Sequence, residues 1–144
     1  TLHDRGRRTA LLERIAALRP DSPRRWGTMT ADQMLHHLNS AMELTLGRLK
    51  AAPKPVPLPK PLFKWLVINL PWPKGSPTAP ELIAGERYDF EAERNRLRDL
   101  VTEIGNKPVQ GHWTHHPVFG AMSGRDCTRL QHKHIDHHLR QFGV

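Results

Sequence analysis

The stretch Leu130–Val144, LQHKHIDHHLRQFGV, holds four of the chain's ten histidines and otherwise has helical spacing. Extended back to Cys127, it has an inward stripe of Cys127, Gln131, Ile135, Leu139 and Phe142, at intervals that stack side chains on one helix face. His134 and His138 are i, i+4 neighbours, about 40° apart on the helical wheel and along one edge of that stripe. His137 falls outside the same edge, and His132 lies beyond the opposite one. Two imidazoles at the margin of an interior are either polar core residues satisfied by neighbouring helices or a pair of metal ligands. An i, i+4 pair delivers two ring nitrogens to one ion, and in a His-rich chain that reading leads. It needs a third ligand from elsewhere. A purification tag is excluded, because Ile, Asp, Leu and Phe interleave these histidines at helical spacing.

Earlier in the chain, Leu11, Leu12, Ile15, Ala16 and Leu18 predict a first helix over Arg5–Arg19, ended by Pro20. Thr30-x-x-Gln33 is a capping box that opens a second helix to about Leu46. Its inward face is Met34, Leu35, Leu38, Ala41, Met42 and Thr45. His37 flanks that stripe beside Ala41, whereas His36 and Glu43 point away from it. His37 is therefore the candidate third ligand. Asp89 caps another helix, Phe90 to about Gly105, with Phe90, Leu97, Leu100, Val101 and Ile104 inward. Ser123 caps the last helix. Between them, GHWTHHPVFGAM is a loop carrying His112, His115 and His116, the last held extended by Pro117.

Nine of the thirteen prolines fall between Ala51 and Pro80, which rules out a continuous helix there. Alternating prolines from Pro53 to Pro61 predict a stiff extended run. Pro61–Leu70 has the pattern of a short amphipathic helix using Leu62, Phe63, Leu66, Val67 and Leu70. Trp72 is expected to anchor the irregular stretch that follows. A disordered linker would leave Phe63, Trp65 and Trp72 in solvent, so this long connection reads as packed.

At 144 residues, one domain with a real core is expected. The formal charge is +8, but the basic residues are scattered, without the aromatic interleaving of a nucleic-acid surface, and no nucleic-acid partner is expected. No run of eighteen apolar residues indicates a membrane span, and TLHDRGRR has no apolar signal core. A single cysteine, Cys127, excludes an intrachain disulfide and suits the cytoplasm. It reads as a small core residue rather than a nucleophile. No P-loop, GxGxxG or CxxC occurs.

The chain resembles the DinB-like superfamily of metal-binding four-helix bundles, in a branch classed as a domain of unknown function. The resemblance is carried by Trp26-Gly27-x-Met29-Thr30 leading into Gln33-x-x-x-His37-Leu38, by PWPKGSPTAPEL at 71–82, by His116-Pro117-x-Phe119-Gly120, and above all by His134-x-x-x-His138-x-x-Gln141. It implies an all-α four-helix bundle whose second and third helices are joined by the long Pro-rich crossover. It also implies a divalent metal, zinc or nickel, held by His37, His134 and His138, the residues the wheels favour. Its better-understood members act as thiol-dependent transferases or isomerases on small molecules. Where many relatives carry Trp near the start of the last helix, this chain has Cys127.

Three neutral imidazoles with an open position make a catalytic type of metal site. The expected function is thus a metal-dependent transferase, isomerase or hydrolase acting on a small molecule, with a low-molecular-weight thiol as a candidate partner. His116 and Gln141 are its candidate catalytic groups. The alternative is a non-catalytic metal- or ligand-binding bundle, dimeric through the Pro/Trp segment.

Overall fold

A computed structural model of the chain describes residues 1–75 and 85–144. Among these, all regular structure is helical: α1 (Arg5–Ala17), α2 (Ala31–Leu46), α3 (Lys60–Asn69), α4 (Phe90–Asn106) and α5 (Gly124–Gln141). The expected count of four becomes five, because Lys60–Asn69 completes a ten-residue helix with Pro61 in its first turn, where a missing N–H costs nothing. Of the PWPKGSPTAPEL motif, residues 76–82 lie outside the described residues.

Four helices close a ring, with α2 against α4, α4 against α1, α1 against α5 and α5 against α2, while α3 packs on the outside of α5. The apolar stripes meet in the middle. Ile15, Met34, Leu35, Leu38, Leu97, Ile104, Ile135 and Leu139 are all fully buried. Each such side chain stabilises the fold by about 1.5–3 kcal/mol relative to exposure.

Helix starts follow their caps. Asp89 accepts from the Ala92 N–H at 2.8 Å and Ser123 from the Asp126 N–H at 3.1 Å, while Gln33 Oε1 accepts from the Thr30 N–H at 3.0 Å. α1 stops two residues short of the expected Arg19. Leu18 is already extended, Arg19 is restricted by the following proline, and its N–H bonds to Ser22 Oγ at 2.9 Å. Trp65 is a second correction: it is 55% exposed, while Phe63 and Val67 on the other face of α3 pack against the core.

Two ties bring distant segments towards α5 and α2. Lys54 N–H donates to Pro117 O at 3.0 Å, fastening the extended proline run to the His116 loop. Asp32, at the start of α2, accepts from Arg87 Nε and the Tyr88 N–H, both at 2.9 Å, and so fixes the approach to α4.

Candidate metal centre

The inward edge of α5 carries His134 and His138, and α2 faces them with His37. His37 Nε2 lies 2.9 Å from His134 Nε2. The three ring centroids form a near-equilateral triangle with sides of 4.9, 4.8 and 4.9 Å. One nitrogen from each ring can be chosen so that all three lie within 4.8 Å of one another. His37 and His138 are buried, and His134, partly exposed, is the member that solvent reaches most readily.

Burial disfavours the charged form of the two rings on α5. Desolvation holds His134 well below the ordinary imidazole value, with the neighbouring His37 and His138 adding to it. Desolvation, then His37, brings His138 down to about 3. His134 and His138 are therefore uncharged at neutral pH, the protonation state a metal ion requires of an imidazole ligand.

His138 is also locked in orientation. Its Nδ1–H donates to Gln141 Oε1 at 2.8 Å, while Gln141 Nε2 donates to the Trp26 carbonyl at 2.7 Å. The second bond fixes which end of the amide faces the ring, so His138 is held as the Nδ1–H tautomer with Nε2 as its lone-pair atom. Gly27 makes the close approach possible. Its φ is +76°, and a Cβ there would collide with Gln141 Nε2. The Trp26-Gly27 turn and the far end of α5 thus meet at one amide.

An aromatic wall adjoins the trio. Trp72 lies 5.5 Å from His134 and 5.6 Å from His137, and Trp26 lies 5.8 Å from His137. Trp72 Nε1 donates to Val67 O at 2.7 Å, and Lys133 Nζ bridges to Val67 O and Leu70 O, pinning the turn after α3 onto α5. His137, read from the wheel as lying outside the stripe, is therefore partly covered. No helical wheel contains Trp26 or Trp72, so that packing had no sequence signal beyond the expectation that Trp72 is an anchor.

The remaining candidates divide. His112 and His115 are exposed. His116 is partly buried in a tight turn closed by two 2.8 Å backbone bonds with Gly120, and its ring stacks on Phe119 at 4.5 Å. Its Nδ1 accepts from the Val118 N–H at 3.2 Å, which leaves Nε2 as the protonated nitrogen. Burial lowers its pKa to about 4, and a charge on it is felt at His134. Gln141 is buried against His138 rather than open to a ligand. Asp136 pairs with Arg14 at 2.6 Å and Arg140 at 2.9 Å, away from the trio. Glu43 and His36 point away from α5, but towards α4 rather than into solvent, because each helix of the ring has two neighbours. Cys127 is buried, and burial pushes its thiol up to about 11, so it is not a thiolate at neutral pH.

These features define an all-α protein in which three histidines from two helices are close enough to hold one metal ion. The family described as Protein of unknown function (DUF1569) matches residues 6–143, and the chain belongs to it. No curated protein and no solved structure matches it. No helix of the described residues is long and apolar enough to cross a membrane.

Proposed function

We propose that this protein is a metal-dependent enzyme of the DinB-like type, a four-helix bundle with α3 added in the crossover, acting on a small molecule. The observation that carries the reading is the convergence of His37, His134 and His138, with His138 held in the tautomer that offers Nε2. The donor set fits the group: neutral imidazoles suit zinc and nickel, and three of them leave coordination positions open. A divalent ion held there supplies Lewis acidity, lowering the pKa of a coordinated water or thiol and polarising a carbonyl.

The chain's own residues do the rest. Gln141 keeps His138 from rotating or changing tautomer. Trp26 and Trp72 limit water access beside the trio and offer flat apolar contact to a substrate. His116, neutral and protonated on Nε2, is suited to donate a hydrogen bond to a substrate oxygen and to stay uncharged while doing so. With Cys127 buried and protonated, a thiol-dependent reaction would take its sulfur from a low-molecular-weight thiol.

The test is turnover by metal-stripped protein and by the same protein reloaded with zinc or nickel. Electrophilic small molecules would be offered with and without glutathione or cysteine. The proposal expects turnover only after reloading, with loss in His138→Ala and a lowered kcat in His116→Phe. Equal turnover by stripped protein would rule it out. Stoichiometric metal with no turnover would favour the non-catalytic binding bundle.

A further inference from the structure

Among the described residues, every large hydrophobic side chain left exposed belongs to α3 or lies just outside its ends. These are Leu58, Leu62, Trp65 and Leu70, each 39 to 55% exposed. Leu62 and Trp65 stand three residues apart on the helix face turned away from Phe63 and Val67, which pack against the core. Apolar side chains gathered on one short element, rather than scattered singly, mark an interaction surface.

The charge around this face has one sign. From Leu44 to Pro80 the sequence has no Asp or Glu, but six basic residues. Arg48 is offset by Glu43 and Glu103, Lys64 by Asp126 of α5, and Lys54 is half-buried. Lys50, Lys60 and Lys74 are exposed and have no carboxylate partner among the described residues. Exposed Arg129 of α5 reaches the same side of α3. Its Nη2 donates to Asn69 Oδ1 at 3.0 Å, and Asn69, one turn past Trp65, donates from Nδ2 to Trp65 O at 2.8 Å.

This combination chooses among partners. A second copy meeting face to face would bring like charges together. A nucleic-acid backbone answers the charge but not the leucines. An anionic bilayer answers both, because its headgroups carry negative charge and its interfacial layer accepts Trp and Leu side chains. A helix of ten residues is too short to span the hydrocarbon, so it would lie in the surface plane.

We propose that α3 docks this protein on an anionic lipid surface. Leu58, Leu62, Trp65 and Leu70 enter the headgroup layer, while Lys50, Lys60, Lys74 and Arg129 meet the lipid anions. The docking uses none of the trio's residues and is independent of the metal reading.

The test is co-sedimentation of the full chain with vesicles of phosphatidylcholine alone, or of phosphatidylcholine with about 30% phosphatidylserine. Binding is expected to the anionic vesicles, to weaken as salt rises, and to blue-shift the tryptophan emission. Trp65→Ala should weaken binding about tenfold and remove most of the blue shift. Its helix content should be unchanged, because the side chain is exposed. Lys60→Gln should weaken binding about fivefold, as loss of one basic residue near such a surface does. No binding to the anionic vesicles would overturn the proposal. Binding that Trp65→Ala leaves unchanged would also overturn it, since charge attraction alone would explain the result. Self-association lost in Trp65→Ala, in protein that ignores both vesicles, would assign the face to a second copy instead.

Discussion

Gln141 Oε1 accepts from His138 Nδ1–H at 2.8 Å, and the other end of the same amide is tied to Trp26 O. A residue three positions past the second candidate ligand thus orients that ligand, using a backbone carbonyl more than a hundred residues earlier in the chain. Removing this acceptor frees the ring to turn and to change tautomer. Gln141→Met is expected to keep its helix content and to lose about 10–100-fold in metal affinity, as losses of such orienting partners do. Competition with a chromophoric chelator measures it; unchanged affinity would mean the amide only packs.

The turn holding that amide gives a sharper comparison. Gly27 and Gly75 have nearly the same positive φ, +76° and +78°. Among the described residues, a Cβ at Gly75 meets nothing within 4 Å, whereas one at Gly27 meets the Gln141 amide. Gly75→Ala should cost only the left-handed backbone penalty of about 1–2 kcal/mol. Gly27→Ala should cost more and also weaken metal binding. Urea unfolding and metal titration of both variants check this, and equal effects would count against the contact.

Acid should destabilise the metal-free protein. His134 and His138 are held below the ordinary value of about 6.5 chiefly by burial, so the unfolded chain binds protons that the folded chain refuses. Their contribution to stability is therefore present above about 6.5 and lost as pH falls towards the folded values, about 3 for His138. The urea midpoint should drop between pH 7.5 and 5, and the drop should shrink in His134→Leu. A midpoint that rose over that range would contradict the assigned protonation.

Cys127, 5% exposed and raised to about 11 by burial, should react with a disulfide reagent only when the chain unfolds. Labelling followed through a urea titration should track the loss of helix. Rapid labelling of native protein would place the thiol at a reactive surface.

Much of this arrangement is readable before any coordinates, where it depends on local chemistry. Asp89 and Ser123 cap their helices because a short side chain can reach a free N–H of the first turn, and that relationship spans only three residues. The shared edge of His134 and His138 follows from helical periodicity. The flank position of His37 follows from the same periodicity, and the ring of helices brings it within reach of His134. What periodicity cannot supply is the partner from elsewhere in the chain. The wheel of α2 has one apolar stripe, yet Asp32 and Asn39 are buried outside it because a second face is covered by Glu93 of α4 and by Arg87 and Tyr88 just before that helix. Trp65 shows the converse: an aromatic residue in a packed helix still faces outward, because α3 contacts the bundle on one side only.

The most direct test is to count metal. Protein purified without a polyhistidine tag would be saturated with zinc or nickel, desalted and assayed by elemental analysis beside His134→Ala. The account predicts close to one equivalent per chain for the wild type. It predicts almost none for a variant whose circular dichroism is unchanged. Clearly substoichiometric metal in the wild type, or full occupancy in folded His134→Ala, would contradict a centre built on His37, His134 and His138.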